Sequence, residues 1–387
     1  MKLSIVTGFF LPVPAVAGGA TEKTWHGLAG RFAAAGHSVT FISRSRPGLP
    51  NSGLDAGVRH IRLRGHDHTR VLALNLLFDF FWGLRVARAL PEADAVICNT
   101  VTLPAWLSRV KPSAGRVAVM IGRIPKGQTR VYGRVARIYV PSSFMADRLG
   151  LGRVSGRLRV IGYPIDWPRL AGASAQAGSP VTVGYIGRLH PEKGLALLVG
   201  AARRLADRKD LPAWRLRLAG PAGRAEGGGG EAWIRSLRTE SEAALGQRVT
   251  WLPPEFDPGR LARLYGETDV FCYPSLAARG ETFGVAVAEA MAARCAAVVS
   301  RLDCFADLVT DGVTGLTFAH AGPDAEARLA DSLARLIADA ALRARLAEGG
   351  QAHVRRFDYA QVSRAVLDDL AVLTGSGAEN RLPSVHA

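Results

Sequence analysis

Two carboxylates, Glu281 and Glu289, lie eight residues apart in the segment GETFGVAVAEAMA, directly after the apolar, strand-like run DVFCYPS. Glycines frame a loop around Glu281, and residues 285–293 are predicted to form a helix. The start of a helix offers unpaired backbone N–H groups and a positive dipole end, which suit a diphosphate. Ionised carboxylates accept hydrogen bonds from sugar and ribose hydroxyls. The segment therefore indicates a site for a diphosphate flanked by hydroxyls, although a capped helix with a solvated Glu would show the same spacing.

Two cations lie in the loop of a second strand–loop–helix segment, further towards the N-terminus. Residues 181–186 are rich in β-branched side chains, and the apolar residues from Leu195 onward recur at helical spacing. Arg188 and Lys193 lie in the loop between these two elements. A guanidinium and an ammonium could neutralise a leaving diphosphate without a metal ion. Taken alone, the loop could equally be a solvated basic surface, but the order of the two segments favours a site.

The two segments, which read G-R-x4-K-G and E-x7-E here, resemble the signatures of the retaining glycosyltransferases of family 4, which have the GT-B fold. The pieces LRLAGP, VTWLPP and DLVTDGVTGLTF match the same family, so the resemblance covers most of residues 181–355. It implies that Glu281 contacts the donor sugar and that Glu289 contacts the nucleotide ribose. It also implies that Arg188 and Lys193 bind the donor diphosphate. Glu281, Arg188 and Lys193 are therefore the predicted catalytic residues.

Strand-like and helix-like segments alternate along all 387 residues, which predicts parallel sheets covered by helices. With 48% hydrophobic and 21% charged residues, the chain can bury substantial cores. The predicted fold class is α/β, with two doubly wound Rossmann-like domains facing a cleft. Residues 168–180, rich in Gly, Ala, Ser and Pro, are the best linker candidate. The predicted divisions are an acceptor-side domain (1–170), a nucleotide-sugar-binding domain (171–356), a helix crossing back to the first domain (357–374) and a tail (375–387).

The first residues allow two interpretations. Lys2, an apolar run and the Ala15–Ala17 segment imitate a signal peptide with its cleavage site. The alternative is a strand, a glycine loop and a helix, an order that resembles the opening of the family 4 enzymes. We favour the strand, because removal of a signal peptide would delete the first strand of the fold. The glycine loop would approach the donor phosphates, since glycine lets backbone N–H groups come close. The predicted donor-binding residues are Gly18, Gly19, Gly187, Phe283, Gly284, Val285 and Glu289.

Positive charge is concentrated in the N-terminal half of the chain. Residues 1–175 contain 24 Lys and Arg against 8 Asp and Glu, whereas the remainder contains 25 of each sign. A basic surface there favours an anionic acceptor or an acidic membrane leaflet. Nucleic acid is a competing partner for a chain with a pI near 10.5. However, there is no zinc-finger spacing, RNP-like run or basic stripe with interleaved aromatics, so we predict no nucleic acid; solubility alone remains an alternative.

Four residues are candidates for the acceptor or donor-sugar side. The resemblance implies a His at the end of the strand that reads DAVICNT here, because many family members carry one, and the matching position holds Asn99, with Thr100 as the alternative. Asn forms hydrogen bonds but does not take a proton at neutral pH. Arg123 and Lys126 could meet an anionic acceptor or the donor phosphate. Glu22 could face the cleft, although an exposed helix turn is its default.

Residues 71–90 form a long apolar stretch interrupted by Asn75, Asp79 and two arginines. These polar residues argue against a membrane span. The aromatic residues Phe78, Phe81 and Trp82 could rest on a membrane surface. We favour the alternative, in which this stripe packs on the sheet of its own domain.

The sequence predicts neither a metal site nor a cofactor. The four cysteines show no C-x-x-C pair, and Cys98 and Cys272 are predicted to be small buried residues, a usage that fits a reducing cytoplasm. There is no D-x-D motif, and the pair His66 and His68 is interpreted as a surface loop. The diphosphate charge would then be carried by cationic side chains and helix N-termini.

The predicted function is a retaining, metal-independent glycosyltransferase of the hexosyltransferase type. It would move a sugar from a nucleotide-diphosphate sugar, with UDP- or GDP-sugars expected, to a hydroxyl of a saccharide or glycolipid acceptor. The expected role is polysaccharide or glycoconjugate biosynthesis in the cytoplasm, with peripheral contact to the inner face of the membrane as an option. Two alternatives stay open: a sugar-nucleotide epimerase or phosphorylase of the same fold, and a non-catalytic binding protein that keeps the fold.

Overall fold

The computed structural model describes residues 1–14, 19–125, 127–150, 155–173, 179–278 and 280–375. The chain divides into two compact units. The first unit contains Met1–Pro164 and the chain from Tyr359 onward, and the second unit contains Ile165–Asp358. The segment predicted as a linker does not mark this division: residues 167–172 are helical, and residues 174–178 lie outside the described residues.

The first unit is built on an eight-stranded sheet in the order β3-β4-β2-β1-β5-β6-β7-β8. Every neighbouring pair is parallel except β3 and β4, which form an antiparallel hairpin. The strand interpretation of the first residues is therefore confirmed, because they form the central strand β1. The strands are β1 (Lys2–Val6), β2 (Ser38–Arg44), β3 (Ser52–Asp55), β4 (Val58–Leu63), β5 (Ala95–Cys98), β6 (Arg116–Met120), β7 (Arg137–Val140) and β8 (Leu158–Val160). The helices between them are α1 (Ala20–Ala34), α2 (Leu72–Ala89), α3 (Leu103–Val110) and α4 (Ser143–Gly150).

The second unit is built on a six-stranded parallel sheet in the order β11-β10-β9-β12-β13-β14. All residues of β9, β12 and β13 are buried, as expected for strands covered by helices on both faces. The strands are β9 (Val181–Ile186), β10 (Trp214–Ala219), β11 (Val249–Leu252), β12 (Val270–Tyr273), β13 (Ala296–Ser300) and β14 (Leu316–Phe318). The helices are α5 (Trp167–Gly172), α6 (Leu195–Ala206), α7 (Glu231–Leu245), α8 (Pro258–Gly266), α9 (Val285–Ala292), α10 (Ala325–Ala338) and α11 (Ala340–Val354).

The last helix, α12 (Tyr359–Thr374), packs against α1 in the first unit. Asp369 anchors it, because its carboxylate accepts a hydrogen bond from Arg137 Nε at 2.7 Å and another from the Tyr139 hydroxyl at 2.9 Å. Both donors belong to β7 and are buried, so this polar contact is shielded from solvent. The predicted tail beyond residue 375 lies outside the described residues.

Helix α2 places polar side chains on its buried side. Asn75 accepts a hydrogen bond from the Thr69 backbone N–H at 2.9 Å and donates one to the Thr69 carbonyl at 2.8 Å. Asp79 accepts hydrogen bonds from the backbone N–H and the hydroxyl of Thr102, at 2.7 and 2.6 Å. Burial raises the pKa of Asp79, and the bonds from Thr102 oppose that shift. These contacts fix the rotation of the helix about its axis.

The same rotation exposes large apolar side chains of α2. Trp82 is fully buried, as predicted, and its indole N–H donates to the Thr7 carbonyl at 3.0 Å. Phe78 is half-buried and stacks on His66. Phe81 is 48% exposed, so the prediction that it packs on the sheet is wrong. We call the exposed set, which includes Val71 directly before the helix, the apolar face of α2: Val71, Leu72, Leu74, Leu76, Leu77, Phe80 and Phe81. Across the described residues, no helix combines the length and the hydropathy needed to cross a bilayer.

Candidate functional site

The second unit has its topological switch point between β9 and β12, where the strand order reverses. In doubly wound sheets, ligands bind at the carboxyl ends of the strands at such a point. The two predicted motifs follow these two strands, with Lys193 in the loop after β9 and Glu281 in the loop after β12. A hydrogen bond of 2.8 Å from the Leu276 N–H to the Glu192 carbonyl joins the loops. The topology therefore brings together two segments that are far apart in sequence.

Lys193 and Glu281 form a buried ion pair at this point. Their side chains are 6% and 9% exposed, and Lys193 Nζ donates a hydrogen bond to Glu281 Oε1. The Tyr273 hydroxyl donates to the same oxygen at 3.1 Å, and the Ser275 hydroxyl donates at 3.0 Å. All three contacts converge on Oε1. A buried carboxylate with one ammonium and two hydroxyl donors is compensated for its loss of hydration.

Two stacked tyrosines form the wall beside this ion pair. The rings of Tyr185 and Tyr273 lie 5.6 Å apart, and Lys193 Nζ lies 5.6 Å from the centre of the Tyr273 ring. Burial raises the pKa of both tyrosines well above the ordinary value, and the negative charge of Glu281 adds to the shift. Both phenols therefore remain neutral hydrogen-bond donors at physiological pH.

Arg188 lies in the same loop as Lys193 but is much more exposed, at 43% of its side chain. Its guanidinium donates hydrogen bonds to the Gly227 carbonyl at 2.6 Å and to Glu192 at 2.9 Å. The Arg188 carbonyl accepts a hydrogen bond from Tyr185 at 2.8 Å, which fixes the backbone. The structure therefore holds Arg188 in a defined place, although not in the buried pair.

The loop that carries Glu281 leads directly into α9. Gly284 precedes the first helical residue, Val285, and has a φ of +94°. A Cβ at Gly284 would lie 2.7 Å from a carbon of the Phe305 ring, so both the backbone angle and the space require glycine. Phe283 is buried and packs edge-on against Phe357 at 5.0 Å. If Phe283 contacts the donor, it does so through its backbone, because its ring is buried.

Glu289 lies in α9, about one helical turn from the start of the helix, and is half-buried. The Tyr265 hydroxyl from α8 donates a hydrogen bond of 3.0 Å to Glu289 Oε2. Tyr265 is buried, and its pKa is raised well above the ordinary value by burial and by the charge of Glu289. The carboxylate is thus positioned by a neutral donor. At the end of β9, Gly187 donates its N–H to the Ala219 carbonyl at 3.0 Å.

In the first unit, Glu22 is buried in the first turn of α1, at 4% exposure. The default interpretation of Glu22 as part of an exposed turn is therefore wrong, because the turn packs inward. Burial raises the pKa of Glu22, and the exposed Arg123 opposes the shift. The same Arg123 charge acts on Tyr163, whose pKa burial raises to about 12. Glu22, Arg123 and Tyr163 therefore form one electrostatic group.

Asn99 follows β5 at the switch point of the first unit, where β1 and β5 are neighbours. Its Nδ2 donates to the Val6 carbonyl at 3.2 Å. Its Oδ1 is buried and has no hydrogen-bond partner within the part of the chain that the structure describes. Gly19 directly precedes α1. The predicted residues Gly18 and Lys126 lie outside the described residues.

Comparison with known proteins identifies the family that this chain resembles. Residues 170–353 match the family described as glycosyl transferases group 1. The phosphatidyl-myo-inositol mannosyltransferase of Mycobacterium tuberculosis is 30% identical over 260 residues, which are 66% of this chain and 63% of that protein. Residues 170–353 belong to the group 1 glycosyl transferases. A D-inositol 3-phosphate glycosyltransferase of Stackebrandtia nassauensis is 33% identical over 207 residues, which are 53% of this chain and 43% of that protein. The chain thus spans less than two thirds of the length of either relative.

Solved structures share the fold of this chain. Sucrose-phosphate synthase from Thermosynechococcus elongatus has a TM-score of 0.77 at 21% identity, covering 97% of this chain and 100% of that chain. The Anabaena protein HepE, in complex with UDP and glucose, has a TM-score of 0.70 at 19% identity, covering 96% and 100%. The predicted resemblance to GT-B glycosyltransferases is confirmed. The predicted fold class, α/β with two doubly wound domains of the GT-B type, is confirmed as well.

Several residues that shape the site are missing from the sequence prediction. Tyr273 and Ser275 hold Glu281, Tyr265 holds Glu289, and Glu192 holds Arg188. The sequence contains a partial signal for Tyr273 and Ser275, because residues two apart on an extended chain point to the same face. No sequence signal indicates that this face carries a carboxylate from the following loop.

Proposed function

We propose that this chain is a retaining glycosyltransferase that transfers a sugar from a nucleotide-diphosphate sugar to a hydroxyl acceptor without a metal ion. The observation that carries the proposal is the buried Lys193–Glu281 pair at the switch point of the second unit, just ahead of the start of α9. The helix start and the cations would hold the diphosphate. The complex of HepE with UDP and glucose supports a nucleotide-sugar donor.

The contacts of Glu281 suggest how it would act. Because Lys193, Tyr273 and Ser275 all bond to Oε1, we assign Oε2 to a hydroxyl of the donor sugar. A carboxylate neutralised in this way is a poor nucleophile, which argues against a covalent intermediate. The acceptor hydroxyl would then attack from the face that the diphosphate leaves, and a phosphate oxygen would accept its proton.

Arg188 would supply a second cation for the diphosphate. Its pairing with Glu192 is exposed to solvent, and exposed ion pairs contribute only about 0–1 kcal/mol. A diphosphate, with more charge and more acceptor oxygens, could therefore take over this guanidinium at little cost.

For the acceptor we propose a phosphorylated polyol, with phosphorylated inositol as the first candidate. The two relatives carry names that specify phosphatidyl-myo-inositol and D-inositol 3-phosphate. The excess of 24 cations over 8 anions in residues 1–175 favours such an anion. Arg123 is exposed beside the buried Glu22 and would contact the acceptor phosphate.

The proposal is tested by turnover of the wild-type protein with UDP-, GDP- and ADP-hexoses. Each donor is offered together with D-inositol 3-phosphate or with phosphatidylinositol vesicles. We expect one donor to yield a glycoside that keeps the anomeric configuration of the donor in the NMR spectrum, at the same rate with EDTA as with added Mg²⁺. Epimerised donor, or release of sugar phosphate, would instead indicate one of the other reactions of this fold. Donor binding without turnover would indicate a non-catalytic binding protein.

Substitution of Glu289 tests the nucleotide side of the site. We expect Glu289→Ala to raise the KM for the donor roughly 10–100-fold, because a hydrogen bond to a charged group contributes about 1.5–3 kcal/mol. Steady-state kinetics measures the effect, and thermal shift with the free nucleotide reports binding alone. Glu348→Ala, at an exposed position of α11, is the control. An unchanged KM for the donor would remove Glu289 from the site.

We also propose that the first unit rests on an anionic membrane surface at the cytoplasmic side through the apolar face of α2. This face presents seven large apolar side chains, each at least 36% exposed. It lies within residues 1–175, which contain 24 Lys and Arg against 8 Asp and Glu. Apolar insertion and attraction to acidic lipids are the two signals that together give stable surface binding.

Vesicle sedimentation tests this contact. We expect Leu77→Ser with Phe81→Ser to weaken binding to phosphatidylglycerol vesicles at least about tenfold, since burying one such side chain contributes about 1.5–3 kcal/mol. The thermal midpoint should fall only slightly, because about half of each side chain is already exposed in the folded protein. Val372→Ser, at an exposed apolar residue of α12, is the control. Equal vesicle binding by the variant and the wild type would contradict the proposal.

A further inference from the structure

A cluster of metal-ligating side chains in the first unit has no part in the proposed transfer reaction. His26 from α1, Asp55 from β3 and His60 from β4 each offer one ligand atom, and these atoms lie within 4.8 Å of one another. His26 Nε2 lies 3.9 Å from Asp55 Oδ2. Two imidazoles and one carboxylate form a ligand set typical of zinc.

The hairpin register explains why these residues meet. Asp55 pairs directly with Val58 across the β3–β4 hairpin, and Gly53 pairs with His60. Because side chains alternate between the faces of a strand, Asp55 and His60 share one face. Gly53 places no side chain over His60. Helix α1 packs on this face and brings His26 to the pair.

His60 is fully buried, and both of its ring nitrogens lack a hydrogen-bond partner among the described residues. Buried polar atoms are normally paired, so this side chain requires an explanation. The neighbouring Arg62 does not bond to these nitrogens, because its guanidinium donates to the carbonyls of Val13 and Pro50 at 3.2 and 3.0 Å.

We propose that His26, Asp55 and His60 bind one zinc ion that ties α1 to the β3–β4 hairpin. Tetrahedral zinc at about 2.0–2.1 Å from its ligands needs ligand atoms roughly 3.3–3.4 Å apart, so the cluster must contract slightly. The side chains of His26 and Asp55 are 31% and 60% exposed and have room to move. A water molecule would complete the coordination.

The edge strand β3 gives such an ion a structural purpose. All four of its residues are exposed, and β4 is its one neighbour in the sheet. A shared zinc ion would link Asp55 to His26 of α1 and His60 of β4, and this link would restrain the edge strand. The four cysteines are buried and unpaired, as predicted for Cys98 and Cys272, so thiolates do not compete for the ion.

Titration of the metal-free full-length protein with Co²⁺ and Zn²⁺ tests the proposal. We expect one Co²⁺ per chain with the visible d–d bands of a tetrahedral site and without thiolate bands. Zinc should displace it, raise the thermal midpoint and increase hydrogen-exchange protection of residues 52–55. Asp55→Asn and His26→Ala should each weaken zinc binding by about 100-fold or more. This exceeds the loss that follows removal of a residue that merely hydrogen-bonds to a metal ligand. Both change partly or fully exposed side chains, so folding should survive.

His68→Ala is the matched control, because His68 is an exposed histidine of the same unit beside Asp67. Its zinc affinity should equal that of the wild type. Absence of stoichiometric binding, or binding that survives both Asp55→Asn and His26→Ala, overturns the proposal. If His68→Ala were the one variant that lost binding, the ion would lie in the loop of His66 and His68, and this result would overturn the proposal as well. None of these readouts depends on sugar transfer, so the outcome is independent of the proposed function.

Discussion

Replacement of Lys193 by methionine is expected to lower kcat/KM for sugar transfer by about 10²–10³-fold, the usual effect of removing one preorganised charge-stabilising group. In the proposed mechanism Lys193 faces the charge that develops on the leaving diphosphate, and it also fixes Oε1 of Glu281. Initial rates at saturating and limiting donor concentrations separate the two contributions. Lys209→Met, at an exposed lysine of the same unit, is the control. Wild-type rates in Lys193→Met would contradict the site assignment.

The same ion pair makes a prediction about stability that separates folding from catalysis. Removing one member of a buried pair costs roughly 3–5 kcal/mol, because the other charge stays buried. Lys193→Met should cost less than Glu281→Met, since Tyr273 and Ser275 still donate to the remaining carboxylate. The double variant removes both charges, so its urea midpoint should return towards the wild-type value while transfer stays lost. A double variant as unstable as the sum of the single variants would exclude this account.

Gly194→Ala is expected to destabilise the second unit by roughly 3–5 kcal/mol, in the range reached when backbone strain and a steric clash combine. Gly194 has a φ of +71°, and a Cβ there would lie 1.9 Å from the Pro274 carbonyl oxygen. Backbone atoms have to move to relieve this clash. Pro274 directly precedes Ser275, so the shift would also pull the hydroxyl away from Glu281 and lower the transfer rate. Urea unfolding and donor kinetics measure the two effects.

Gly312→Ala separates strain from clash. Gly312 has a φ of +73°, and a Cβ there would meet nothing within 4 Å. It should therefore show the backbone penalty alone, about 1–2 kcal/mol, with unchanged transfer. We expect Gly194→Ala to be less stable than Gly312→Ala. Equal stability would mean that the close packing of the loops after β9 and β12 does not constrain the fold.

Local patterns were sufficient to predict most of the secondary structure and the fold class. The apolar periodicity after Leu195 predicted α6, and the β-branched run in residues 181–186 predicted β9. The alternation of such elements predicted two doubly wound units, because parallel strands require crossover helices. The motifs around Arg188 and Glu281 indicated the family. These inferences succeed because each rests on residues within one or two elements.

The errors arise where the direction of a side chain depends on distant parts of the chain. Phe81 belongs to an apolar run but is exposed, because Asn75 and Asp79 bind the backbone of other segments and set the rotation of α2. Glu22 has the sequence context of a solvated helix turn but is buried. Periodicity measures which residues share a face, and it does not measure which face is covered.

The chemical groups of this protein, and the order of the elements that carry them, can be read from its amino-acid sequence alone. The buried hydrogen bond between Lys193 and Glu281, which are 88 residues apart, becomes visible only in the folded chain. The same holds for the meeting of His26 with the hairpin residues Asp55 and His60. Contacts between distant residues follow from strand order, register and helix packing, because these minimise the free energy of the whole domain and are not encoded in any single segment.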